Sequence, residues 1–333
     1  MVRRTLMTTD IFSKRIELKP YEYPQLLKYV DAIRHSYWIH TEFNFTPDIQ
    51  DMMVRMKPHE VESLNRTMLA ISQIENSVKS FWGDIHKHLP KPEISDVGYT
   101  FAESEVRHKD AYAALLERMG LNERFEQVKN VPAVQDRLDY INKINSKAKT
   151  SDDPKEYFKS IIFFSMLIEH VSLFSQFYII LAFNKFDNVL KGMSNAVEAT
   201  SKEEDIHANF GFDIINIIKA ENPEWFNIPL KNYIRRKMLK AFAAEQKVLD
   251  WIYESGDLEA APREVVENFI KHRLNTALTA IGIEELFTIT PEEKKKFHWF
   301  IDEISVTKNN DFFQKRSTNY TKRTKSVNAE DLY

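Results

Sequence analysis

The sequence predicts an all-α protein, a bundle of long helices, and three observations carry that expectation. Only 7 of the 333 residues are glycine, where average usage is about 7%, so tight turns are few. The 12 prolines fall between or at the very start of stretches with helical period. Several of those stretches run to about 30 residues, the length of bundle helices. The same shortage of glycine argues against β-sandwiches and dinucleotide-binding α/β folds. Neither GxGxxG nor GxxxxGK(S/T) occurs, which argues against phosphate-loop chemistry.

Helices are predicted over 22–37, 58–87, 98–119, 131–146, 154–184, 187–220, 229–254, 261–281 and 290–304. Pro58, Pro154 and Pro229 stand at the first position of three of them, where a missing N–H and a fixed φ do no harm. Pro24, Pro132, Pro262 and Pro291 stand within the first three positions of four others, and Pro90, Pro92 and Pro223 lie between helices. In 58–87, Met68, Ile71, Ile74, Val78 and Phe81 make a largely apolar stripe at helical spacing. The segment 161–183, IIFFSMLIEHVSLFSQFYIILAF, is apolar on all sides and long enough to span a bilayer. Glu169 and His170 stand near its middle, where ionisable groups are expensive in lipid. The segment is therefore predicted to be the buried central helix of the bundle, with no membrane partner.

From about Lys308 the helical period stops, and the chain ends acidic and then apolar in Ala329-Glu330-Asp331-Leu332-Tyr333. The organisation expected is an N-terminal segment, 1–20, a helical domain, 21–307, and a flexible tail, 308–333. Such a tail is either frayed or ordered by a partner. Residues 1–7 lack an apolar stretch long enough for a signal peptide, and a cytoplasmic location is expected. With 46 basic and 49 acidic residues the net charge is −3, which gives no general polycation for nucleic acid. The absence of cysteine rules out disulfides, thiolate-ligated metals and a cysteine nucleophile.

The chemistry-bearing pattern is a set of carboxylates and imidazoles. Two Glu residues are followed three positions later by His: Glu105–His108 and Glu204–His207. Residues i and i+3 share a helix face, so each pair can offer an oxygen and a nitrogen to one point. Either pair alone reads more readily as a structural histidine beside a glutamate than as a metal site. Context adds Glu75, inside the apolar stripe of 58–87, and Glu169, inside the most apolar helix. In sequence order the four helices offer a lone Glu, a Glu–xx–His, a lone Glu and a Glu–xx–His. That is the ligand pattern of carboxylate-bridged di-iron and di-manganese bundles. Carboxylates converging in an apolar core repel one another and are poorly solvated. Two divalent cations would neutralise them, and carboxylate plus imidazole suits iron and manganese.

With these residues in place, the sequence resembles the small, radical-generating subunit of class I ribonucleotide reductases, over roughly residues 20–333. The resemblance implies a ferritin-like helical bundle with a dinuclear metal site in a four-helix core. Its ligand order falls on Glu75, Glu105, His108, Glu169, Glu204 and His207. The first ligand in most of the family is Asp; Glu75 is the choice of subclasses that use manganese. The family's radical-bearing tyrosine lies four residues after the first ligand His, which is Tyr112 here. Its retention beside Glu75 looks most like the dimanganese subclass. The resemblance therefore favours two Mn per chain, with Mn/Fe or Fe/Fe as alternatives.

The resemblance further implies a radical relay through Trp38, in SYWIHTEFNF, and Glu203, immediately before the fourth-helix ligand. It continues to Tyr320, in the tail segment FFQKRSTNY, with Tyr333 as an alternative docking residue. Phe177 and Leu173, two turns and one turn after Glu169, would wall the metals. The implied partners are a second copy of the chain, the large catalytic subunit docked by the tail, and an activating flavoprotein. The implied activity is ribonucleoside-diphosphate reductase. The alternative is a stand-alone ferritin-like ligand-binding oxidase, which would need no docking tail.

Overall fold

The computed structural model describes residues 10–305, apart from the side chains of 76–79, 145 and 149. Every regular element among them is helical, as predicted. A 3₁₀ turn, Pro24–Leu27, leads into α1, Lys28–His35, and α2 follows at Thr46–Val54. Next come α3, Pro58–Asp84, α4, Pro92–Arg118, α5, Asn122–Val128, and α6, Pro132–Thr150. The central run is α7, Pro154–Phe163, a π-helical segment, Phe164–Ser172, and α8, Phe174–Asp187. The chain continues through α9, Lys191–Glu221, α10, Ile228–Ile252, α11, Arg263–Ala280, and α12, Pro291–Ile304.

Three differences from the sequence expectation have physical causes. The short helices α2 and α5 carry too few turns to show a helical period. Helix α4 starts at Pro92, six residues earlier than predicted. Its first turn is anchored by buried Glu93, which accepts from the Glu22 and Tyr23 N–H groups at 2.8 and 2.9 Å and pairs with Arg15. The predicted α-helix over 154–184 is interrupted by the π segment. There the Arg137 guanidinium donates to the Ser172 carbonyl at 3.2 Å, and Arg273 Nε donates to the His170 carbonyl at 2.8 Å. The Ser172 hydroxyl donates back to the Leu167 carbonyl at 2.8 Å. Two buried guanidiniums thus take up backbone acceptors in this widened turn, a form that recurs at functional sites.

Helices α3 and α4, joined by a short connection, form a hairpin with the most extensive interface of the fold, and α9 lies against the π segment and α8. The run Pro154–Asp187 has the length and apolarity of a membrane span, and its most apolar window is wholly buried inside the protein. This is the central bundle helix the sequence predicts. Gly211 sets how closely α9 approaches the π segment. A Cβ there would lie 2.0 Å from Ser165 Oγ and 2.4 Å from its Cβ, so only glycine fits. Gly211→Ala is expected to cost about 1–3 kcal/mol through overpacking, readable in a denaturant titration.

The start of α9 is fixed from outside. Leu190, at its N-cap, is left-handed (φ 58°), and its N–H donates to Asp51 in α2 at 2.9 Å. Fully buried Asp48 accepts from the Gly192 and Met193 N–H groups at 2.9 and 2.6 Å. Two carboxylates from a remote helix therefore do the work of an N-cap for α9. Asp48→Ala would strand both N–H groups and is expected to destabilise the protein by about 2 kcal/mol. An unchanged thermal midpoint would rule out this capping role.

Candidate metal centre

Glu75 comes from α3, Glu105 and His108 from α4, Glu169 from the π segment, and Glu204 and His207 from α9. All six are at most 1% exposed. Their donor atoms form two groups, each with atoms within 4.8 Å of one another. One is Glu75, Glu105, His108 and Glu204; the other is Glu105, Glu169, Glu204 and His207. Glu105 and Glu204 belong to both, so the arrangement has two adjacent centres with two shared carboxylates. His108 Nδ1 lies 2.9 Å from Glu204 Oε1, 3.7 Å from Glu105 Oε2 and 3.9 Å from Glu75 Oε2. His207 Nδ1 lies 3.2 Å from Glu105 Oε1, 3.3 Å from Glu169 Oε2 and 3.5 Å from Glu204 Oε2.

The hydrogen bonds fix which nitrogen faces inward. His108 Nε2 lies 2.7 Å from Glu203 Oε2. His207 Nε2 lies 2.9 Å from Ser104 Oγ, whose own proton goes to the Phe101 carbonyl at 2.8 Å. Each imidazole therefore bonds an outer acceptor through Nε2 and turns Nδ1 toward the carboxylates of the cluster, the nitrogen that would ligate a metal once its proton has left. Trp82 Nε1 donates to Glu169 Oε1 at 3.1 Å and holds that carboxylate. Both oxygens of Glu75, both of Glu105, Glu204 Oε1 and His108 Nδ1 are buried without a hydrogen bond. So many orphaned acceptors in one place are costly unless cations satisfy them. The donor set fits two divalent metals.

Burial pushes the Glu75 carboxyl well above its usual range, with Glu204 and Glu105 adding and His108 opposing. Burial raises Glu169 likewise, helped by Glu204. Burial would also raise Glu204, but the two imidazoles outweigh it and hold that carboxylate low. Raised carboxyls must give up protons before they can ligate. Metal uptake is therefore expected to release protons and to tighten with rising pH. Metal titrations at about pH 6 and about pH 8 in an indicator dye check the sign; equal affinity with no proton release would contradict it.

The other candidate residues divide. Tyr112, 1% exposed, lies in α4 one turn beyond His108. Burial first, and Glu75 second, raise its phenol well above the usual value, so it keeps its proton. Trp38, 2% exposed, stacks on His108 with ring centroids 5.7 Å apart and planes at 12°. Glu203 bonds His108 and, through Oε1 at 3.2 Å, Arg107; no bond to the Trp38 indole N–H is present. Phe177 and Leu173 are buried, beyond the π turn that shifts their phase from the simple α spacing. Tyr320 and Tyr333 lie outside the described residues.

Sequence reasoning missed Arg107, Ser104 and Trp82. Arg107, 5% exposed, donates to Glu203 and to the Trp38 carbonyl at 3.1 Å, and its guanidinium lies 5.5 Å from the centre of the Trp38 ring. The signal available was position: Arg107 and Ser104 flank His108 and Glu105 in the chain.

Fold and site together are a helical bundle whose buried carboxylate–histidine cluster fits a dinuclear metal site. The known proteins it matches narrow this class. A family model described as "Ribonucleotide reductase, small chain" matches residues 15–296. The chain belongs to that family. Among named relatives, the ribonucleoside-diphosphate reductase subunit beta of Chlamydia pneumoniae is 24% identical over 299 residues, covering 85% of this chain and 83% of its own. A ribonucleotide reductase R2 subunit from Clostridium botulinum superposes with a TM-score of 0.76 at 18% identity, over 85% of this chain and 89% of that one. The dimanganese(II)-NrdF of Streptococcus sanguinis gives 0.72 at 16%, over 88% and 100%. An R2-like ligand-binding oxidase carrying a Mn/Fe cofactor gives 0.68 at 17%, over 78% and 94%. At these identities the superpositions show the shared fold.

Proposed function

We propose that the protein is the radical-generating small subunit of ribonucleoside-diphosphate reductase, and that Glu75, Glu105, His108, Glu169, Glu204 and His207 hold a dinuclear metal cofactor. One observation carries the reading. The two ligand groups share Glu105 and Glu204, and one of them opens through His108 onto a stacked Trp38. A metal pair, when bound, supplies a one-electron oxidant. The chain's own residues then provide the path. His108 Nε2–H is held by Glu203, which is held in turn by Arg107. Trp38 shares its π face with His108, and its indole N–H makes no hydrogen bond. An electron leaving Trp38 thus leaves a cationic ring beside the Arg107 guanidinium, an unfavourable neighbour. Trp38 on this reading passes the hole and does not store it. Tyr112, buried with its proton in place, is the candidate for storage.

Two Mn per chain is the favoured loading, with Mn/Fe or Fe/Fe as alternatives. Glu75 in the first ligand position and the retained Tyr112 support manganese, and a dimanganese protein is among the structures with this fold. The test is metal content. Metal-free protein is reconstituted with Mn(II), with Fe(II) and with both, desalted, and counted by plasma mass spectrometry. About two metals per chain, with manganese preferred from the mixture, is the expected result. Well under one metal in every condition would dispose of the centre.

The proposal extends to a cytoplasmic homodimer of three-part chains. The N-terminal segment is 1–20, the helical domain 21–307, and the tail, 308–333, docks the large subunit. Tyr320 hands the hole across that interface, and an activating flavoprotein is a further partner. Deleting 316–333 separates this reading from the ligand-binding oxidase. Binding of the large subunit is expected to vanish with metal content unchanged.

A further inference from the structure

We propose that a lysine-ringed cavity between α6, α7 with the π segment, and α10 is a binding site for an anionic amphiphile, a small molecule with an apolar body and a phosphate or carboxylate head. The cavity measures about 360 Å³, at the lower end of the range for small-molecule sites. None of the six candidate metal ligands lines it, so the proposal stands apart from the metal reading.

Its composition is the argument. The floor and walls are apolar and aromatic: Tyr140, Ile144, Phe163, Leu167 and Tyr233, with Ala241 and Ala244. Six lysines line it against two carboxylates, in a chain whose net charge is −3. The two carboxylates are already engaged, Asp136 with Lys247 and Glu156 with Lys159 and, at 4.0 Å, Lys147. Lys143, Lys237 and Lys240 also line the cavity, yet none forms an ion pair among the described residues. Three uncompensated cations around an apolar hollow raise the local potential for an anion. The aromatic floor favours an apolar body over water. Helix α6 brings Lys143, α10 brings Lys237 and Lys240, and α7 with the π segment supplies the floor. Three elements therefore converge on one hollow, unlike the solvated stripe of a single helix.

The cavity also touches the frame of the metal centre. Leu167 belongs to the π segment that carries Glu169. Tyr140 reaches the same segment, its hydroxyl 2.7 Å from Ser172 Oγ and donating to Glu245 at 3.2 Å. A ligand seated against Tyr140 and Leu167 rests on the backbone that positions a candidate metal ligand.

Isothermal titration calorimetry of the metal-loaded, full-length protein with decyl phosphate, decanoate, decanol and inorganic pyrophosphate tests the site. Decyl phosphate and decanoate are expected to bind saturably at one site per chain. Their ranking distinguishes phosphorylated from carboxylate ligands, and either order supports the proposal. The exposed pair Lys143→Glu with Lys240→Glu should weaken both by about tenfold or more. Ala243→Trp, at an exposed lining position, should block them sterically. Circular dichroism checks that both variants are folded. Decanol binding as tightly as the anions, pyrophosphate binding as tightly as decyl phosphate, or unchanged affinity in both variants would each overturn it. So would binding confined to an acidic peptide, which would make the surface a protein-docking face.

Discussion

Replacing Glu204 with alanine is expected to empty the metal centre. Glu204 is in both ligand groups, and its two oxygens lie 2.9 and 3.5 Å from the inward nitrogens of His108 and His207. Its loss removes one donor from each centre and one of the two carboxylates that join them. Bound metal should fall from about two per chain to well below one. Helix content should be retained, because the side chain makes no contact that a helix end depends on and α9 is capped at Asp48 and Asp51. Normal metal content in the Glu204→Ala protein would sink the ligand assignment.

The second large effect is expected at Trp38. Trp38→Phe keeps a ring against His108 but removes the oxidisable indole from the path. Metal content should be unchanged, while nucleotide reduction in the presence of the large subunit should fall to background. The pair of readouts matters because Trp38 also contributes to the core beside Phe43. Lost metal together with lost turnover would mean a packing role. Full turnover would remove Trp38 from the path altogether. Tyr320→Phe gives the matching outcome at the other end, with metal retained and turnover stopped.

The helices were legible because their signals are local. Proline at the first turn and a 3.6-residue apolar period set α3 and α10 to within a few residues, and proline set the start of α7. The spacing of Glu105–His108 and Glu204–His207 on helix faces needed nothing from the rest of the chain, and the structure gathers all six candidate ligands at one place. What stayed hidden depends on distant partners. The π turn exists where Arg137 and Arg273, from α6 and α11, meet the backbone of the central helix. Glu203 could be read as a relay residue by resemblance. Its actual partners, His108 and Arg107, follow from α4 and α9 lying side by side. The cavity ringed by lysines joins residues about 100 positions apart, and no window of sequence contains it.

The α3–α4 hairpin has a consequence in time. It carries Glu75, Glu105 and His108 within 34 consecutive residues, whereas His207 lies 99 residues beyond His108. At synthesis rates of about 5–20 residues per second, the hairpin precedes the arrival of α9 by roughly 5–20 s. Throughout that interval the nascent chain presents three donors, and four once Glu169 is made, always without Glu204, one of the two carboxylates common to both ligand groups. A half-built cluster of this sort lacks a carboxylate that would join the two centres. On the proposed reading, the choice of metal then falls to the finished polypeptide and to whichever ions surround it after release from the ribosome.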